Sequence, residues 1–166
     1  MHELKPLSPE AVDGALVKAE RYRLLNEPAE AESICLDVLE VDPNHQGALK
    51  ILALALTDQV ATERAAFQEA LGAAARLADE YDRLYFTGIA WERRSKARHE
   101  EGGHGASAVV SDWMSRAMGC FERAEAIRPV GNDDVLLRWN TCVRFLQRHP
   151  QYAAVEQDWG EPLMLE

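Results

Sequence analysis

Apolar side chains recur along this chain at helical spacing, in segments of 14 to 19 residues separated by Pro, Gly, Asn and Asp. Ala15, Ala19 and Tyr22 follow one another at i, i+4 and i+7. Leu84, Gly88 and Trp91 do the same, and Val135, Trp139, Cys142 and Leu146 continue to i+11. Such periodicity predicts amphipathic helices. The run from Gly47 to Leu56 is apolar almost all round, as expected for a helix with neighbours on both sides. Ser8-Pro9-Glu10 and Gly131-Asn132-Asp133-Asp134 read as helix starts, with Ser8 as the first cap. The pattern predicts seven α-helices, near 8–26, 28–41, 45–59, 62–79, 81–98, 111–128 and 133–148, and no sheet.

One spacing occurs twice. Ala31-x3-Cys35-x2-Val38-x4-Pro43 returns as Ala117-x3-Phe121-x2-Ala124-x4-Pro129. Each is preceded by one of the first two trios. Together they resemble the tetratricopeptide repeat, a helix–turn–helix unit of about 34 residues with the pattern W-x2-L-G-x2-Y, A-x3-F and a closing P. Tyr22 to Ala31 is nine residues, as that pattern requires, whereas Trp91 to Ala117 is 26, an excess of 17 inside one repeat. A weaker repeat fills the interval. Leu71 and Ala74 keep the expected spacing there, but Phe67 sits where a small residue is usual and no proline closes the helix.

The resemblance implies an all-α fold of antiparallel helix pairs, stacked as a short right-handed superhelix. One domain spans 1–150, with repeats about 12–45, 46–80 and 81–130, an insertion about 99–115, a capping helix over 133–148 and a tail over 151–166. Ala19, Tyr22, Ala31, Cys35, Leu52, Leu71, Gly88, Trp91, Ala117, Phe121, Ala124 and Trp139 are the expected core. The first helices of such pairs line a concave face. Here that face comprises Leu16, Glu20 and Arg23, then Lys50, Leu54 and Thr57, then Tyr85, Ile89 and Glu92, and Leu136 and Asn140 from the cap. A clamp for a peptide carboxylate, present in some members, is mostly missing, because its positions hold Leu16, Glu20, Lys50 and Leu54. What remains is an apolar trough with scattered charges, suited to an amphipathic or extended partner segment.

Charge and candidate chemistry narrow the picture further. The formal net charge of −10 argues against general nucleic-acid binding. Residues 1–80 carry 15 acids and 7 bases, and residues 81–166 carry 13 and 11. The one basic run is Arg93-Arg94-x-Lys96-x-Arg98, read as a solvated helix face or as a contact for an anionic partner. No apolar stretch is long enough for a membrane helix, and the N-terminus lacks the basic and apolar regions of a signal peptide. Three cysteines at apolar helical positions read as reduced thiols in a cytoplasmic protein.

No P-loop, GxGxxG, HExxH, CxxC or nucleophile motif is present, so no catalytic residue or cofactor is expected. His99 and His104 bracket Glu100-Glu101-Gly102-Gly103, where a metal or small ligand is the alternative function, although the glycines favour a mobile loop over 98–108. The leading expectation is a non-enzymatic protein-interaction module, an adaptor or assembly factor that binds a protein or peptide. Self-association through the end faces of the stack is a further expectation. The tail holds Tyr152, Trp159, Leu163 and Met164, and is expected to pack against the body with Trp159 partly buried.

Overall fold

The computed structural model describes residues 2–153. The tail residues 154–166, and with them the expectation for Trp159, lie outside the described residues. Seven helices follow one another: α1 Val12–Leu24, α2 Pro28–Val41, α3 Gln46–Asp58, α4 Ala66–Ala75, α5 Glu80–Glu101, α6 Ala106–Ala126 and α7 Asp134–Arg148. Short 3-10 turns precede α1 (Pro9–Ala11) and follow α7 (Pro150–Tyr152). There is no strand among the described residues, and no helix there is long and apolar enough to cross a membrane.

Local chemistry explains most boundaries. Pro28 opens α2, where a missing N–H costs nothing. Asn26 takes the left-handed conformation (φ 61°) that reverses the chain between α1 and α2. His45 caps α3 by accepting from the Ala48 N–H at 3.2 Å. Asp79 caps α5 by accepting from the Asp82 N–H at 3.1 Å. Asn132, rather than Asp133, accepts from the Asp134 N–H at the start of α7 (3.0 Å). Ser8 makes no side-chain cap bond, so the first turn begins as a 3-10 turn and α1 proper starts at Val12.

Two expectations need correction. The helix expected over 62–79 shrinks to Ala66–Ala75, because the Thr62 and Glu63 N–H groups bond back to the Gln59 carbonyl in a turn. The insertion is not a loop over 98–108. Helix α5 continues to Glu101 and α6 begins at Ala106, so the 17 extra residues lengthen a helical hairpin. Gly102, Gly103 and Gly105 all have positive φ (64°, 89° and 73°) and make the tight turn itself. The extension packs. Ala97, Ala106 and Val110 are buried, and the buried Ser95 hydroxyl donates to the Val110 carbonyl at 2.8 Å.

Each helix packs on the next, and α1, α3, α5 and α7 also touch in succession. The even-numbered helices make no comparable contacts among themselves. The core runs through both layers. Ala19, Ala31, Cys35, Leu52, Ala117, Phe121 and Ala124 are buried, as is Gly88. Tyr22, Leu71, Trp91 and Trp139 are half-buried and packed against that core. Helix α3 is buried almost all round, from Ala48 to Thr57. Phe67, the large residue at a small-residue position, meets Trp91 edge-on with ring centroids 4.8 Å apart.

The tightest contact joins α5 to α6. A Cβ placed on Gly88 would lie 2.5 Å from Cε1 and 2.7 Å from Cδ1 of Phe121, which is fully buried. Gly88→Ala should therefore destabilise the protein by about 1–3 kcal/mol through overpacking, and Gly88→Ala with Phe121→Leu should recover part of that loss in denaturant melts. Phe121→Ala alone should cost about 3–5 kcal/mol, with a loss below about 1 kcal/mol contradicting its place at the centre of the core.

Candidate functional site

The layer of α1, α3, α5 and α7 carries all eleven expected groove positions, but they do not form a continuous open trough. Leu16, Lys50, Leu54, Tyr85 and Leu136 are half-buried, and Glu20 and Asn140 are exposed. Thr57, Ile89 and Glu92 are closed off from solvent, at 3%, 1% and 1% exposure. Thr57 is turned inward and its hydroxyl donates to the Leu54 carbonyl at 2.8 Å. Ile89 belongs to the core. These three are corrected from surface contacts to structural positions.

Arg23, the last expected position on α1, belongs to a chain of ion pairs that crosses the layer. Arg23 Nε meets Asp58 on α3 at 2.8 Å, and Arg93 on α5 meets the other oxygen of the same carboxylate. One residue earlier, the buried Glu92 carboxylate accepts from Lys96 Nζ at 2.5 Å and from Arg138 on α7 at 3.5 Å. Each of two carboxylates is thus shared by two cations. All four odd-numbered helices contribute, and a second pair, Lys50–Asp82 at 2.6 Å, ties α3 to α5 nearer their N-terminal ends. The apolar positions Leu54 and Tyr85 lie between the two sets of charges along the helices.

Burial shifts two arginines of this cluster. Desolvation pushes the Arg93 pKa down to about 10, and the nearby Arg138 and Arg23 charges add to the effect. Arg23 is lowered by desolvation first, with the Glu20 charge opposing and Arg138 assisting. Both shifted guanidiniums, Arg23 and Arg93, stay charged at neutral pH. A hollow of about 220 Å³ opens beside them, lined by Asp58, Arg93, Lys96 and Glu100 among others.

The basic run splits by helical geometry. Arg93 and Lys96 join the odd-layer cluster. Arg94 turns to the other side, donating to the Val60 carbonyl at 3.1 Å and stacking over Phe67 and Trp113 at 5.7 and 5.2 Å. Arg98 folds back to the Gly102 carbonyl at 2.5 Å. None of the four stands on a simple solvated face. Asp58, Arg93, Lys96 and Arg138 went unassigned to the groove in the sequence pattern. A face count from Glu92 would have found Lys96 at i+4, and one from Leu54 would have found Asp58, but nothing local marks Arg138.

The alternative site at the hairpin tip does not assemble. His99 Nδ1 pairs with the Tyr152 hydroxyl at 2.7 Å, and its ring packs on His149 (centroids 4.3 Å) and Phe145 (5.4 Å). His104, Glu100 and Glu101 are exposed. No group of three His, Cys, Asp or Glu suited to a metal occurs among the described residues. Tyr152, the first aromatic of the tail, is buried by the His99 contact. All three cysteines are unpaired, and burial pushes Cys35 and Cys142 up to about 12, which leaves them as protonated, unreactive thiols at neutral pH. Comparison of the chain with family models, with curated proteins and with solved structures gives no match.

Proposed function

We propose that this chain is a non-enzymatic protein-interaction module of tetratricopeptide type, an adaptor or assembly factor that receives a partner segment on the face of α1, α3, α5 and α7. On this reading the helix pairs α1–α2, α3–α4 and α5–α6 are three repeats in a right-handed superhelix, and α7 caps the stack. The supporting observation is the layering: the odd-numbered helices touch one another in sequence, while the even-numbered ones do not. Inner helices of a curved stack behave in this way. The close approach at Gly88 and Phe121 gives the repeated small and large positions a physical role.

The surface on offer is mixed. Half-buried Leu54 and Tyr85 provide apolar contact, and the ion-paired row beside them provides orientation. An amphipathic or extended segment fits such a strip better than a small molecule does, because the face is shallow and crosses four helices.

Affinity capture from source lysate with the intact protein and with Leu54→Arg tests the groove. The variant should fold, as judged by its circular dichroism melt, and should lose the captured partner. Unchanged recovery of the partner by folded Leu54→Arg would remove this face as the binding surface.

A further inference from the structure

The cations of the odd-helix layer outnumber the acids that neutralise them. Arg23, Arg93, Lys96 and Arg138 converge on Asp58 and Glu92 alone. Arg138 has no polar contact closer than 3.5 Å among the described residues, so most of its five N–H donors are unspent. Among those residues Arg93 pairs only with Asp58, and Lys96 pairs only with Glu92 while its Nζ lies over the Phe145 ring at 5.8 Å. Glu20 acts on Arg23 at a distance, but Glu20 and Glu100 are both exposed, and exposed charges contribute little. The guanidiniums, in contrast, are held at about a quarter exposure: 19% for Arg23, 25% for Arg93 and 29% for Arg138. Three partly desolvated arginines with spare donors thus stand on α1, α5 and α7, and Arg93 lines a hollow with Lys96.

We infer that this cluster is a docking site for an acidic segment of a protein partner, whose Asp or Glu side chains bridge Arg93, Arg138 and Lys96. The inference rests on the interaction-module reading and names the chemistry of its partner. Planar guanidiniums recognise carboxylates through paired N–H donors, and such charge-assisted bonds are the strong ones. Arg93 and Lys96 lie on α5 and Arg138 on α7, and two resident carboxylates are already shared among the cations, so the ligand presents several acids along its length. Burial first, and neighbouring arginine charge second, lowers the Arg93 pKa, which fits a site that an added anion would relieve. The chain's own charge of −10 does not oppose this, because charges beyond about 8 Å are largely screened at physiological ionic strength.

The test uses the full chain and a short, end-blocked, fluorescent peptide of alternating Glu and Ala, with a Gln-for-Glu peptide as control. Anisotropy should show binding of the acidic peptide alone, weakened by added salt. Arg93→Gln with Arg138→Gln should weaken binding by about tenfold or more, the effect of losing at least one charge-assisted bond. This pair leaves Asp58 with Arg23 and Glu92 with Lys96, so neither acid is orphaned. Lys96→Gln alone should weaken binding in the same sense, and it carries the comparison if the double variant does not melt cooperatively. Lys18→Gln with Arg21→Gln, on the exposed side of α1, should bind as the parent does. No binding of the acidic peptide overturns the inference, as does equal binding by the folded Arg93/Arg138 variant. A thermal shift with pyrophosphate that the Arg93/Arg138 variant loses, without any peptide binding, also overturns it, in favour of a small phosphate ligand. Loss of the captured partner in Leu54→Arg with unchanged capture by Arg93→Gln/Arg138→Gln would remove the acidic-segment inference and leave the groove standing. Unchanged capture by both would remove both.

Discussion

Helices α5 and α6 approach so closely at Gly88 that the Phe121 ring takes the place of a side chain there. A glycine in mid-helix costs roughly 1 kcal/mol against alanine in intrinsic terms. It is retained where two helices touch because the ring behind it is fully buried, a contact worth more than that cost. The contact sets the axis of the long hairpin, which carries Trp91 and Trp113 on one side and Arg93 and Lys96 on the other. Trp91 then meets Phe67 on α4, and Arg93 meets Asp58 on α3. The register of α5 against α6 therefore positions both the core of the preceding pair and the charged row of the odd layer.

That charged row follows from packing as much as from attraction. Taking a carboxylate as deeply as Glu92 out of water is unfavourable unless cations accompany it. Lys96 lies one turn along the same helix and Arg138 comes from the next odd helix, so the acid helps to fix α7 on α5. Asp58 does the same between α1, α3 and α5. Exposed surface pairs contribute little to stability. These are partly buried and shared, and their larger effect is to hold four helices in one alignment while leaving donors unspent among the described residues.

Global and local electrostatics point in opposite directions here. A net charge of −10 would suggest a basic partner. The face made by the odd helices collects cations, because Arg23, Arg93 and Arg138, far apart in the chain, converge on two acids. Much of the negative charge is displayed elsewhere, for example on the exposed Glu27, Glu30 and Glu40 around α2. Net charge predicts solubility and long-range steering better than it predicts the chemistry of a particular face.

The amino-acid sequence by itself determined the all-helical class, the positions of most helices and the buried small-and-large pairs such as Ala31 with Cys35 and Ala117 with Phe121, because these depend on periodicity and on proline or cap chemistry acting over a few residues. The extension of α5 and α6 was also written in the chain, in Ala106, Val110, Met114 and Ala117 at helical spacing, but the three glycines suggest a longer loop than the four-residue turn they make. Only the tertiary structure decided that Thr57, Ile89 and Glu92 face inward, since a helix alone does not say how far its neighbours rotate over it. It alone brought Arg138 to Glu92 and Arg93 to Asp58, across 46 and 35 residues of chain. Such pairings have no local signature, because they arise from the packing of whole helices rather than from any segment's own preference.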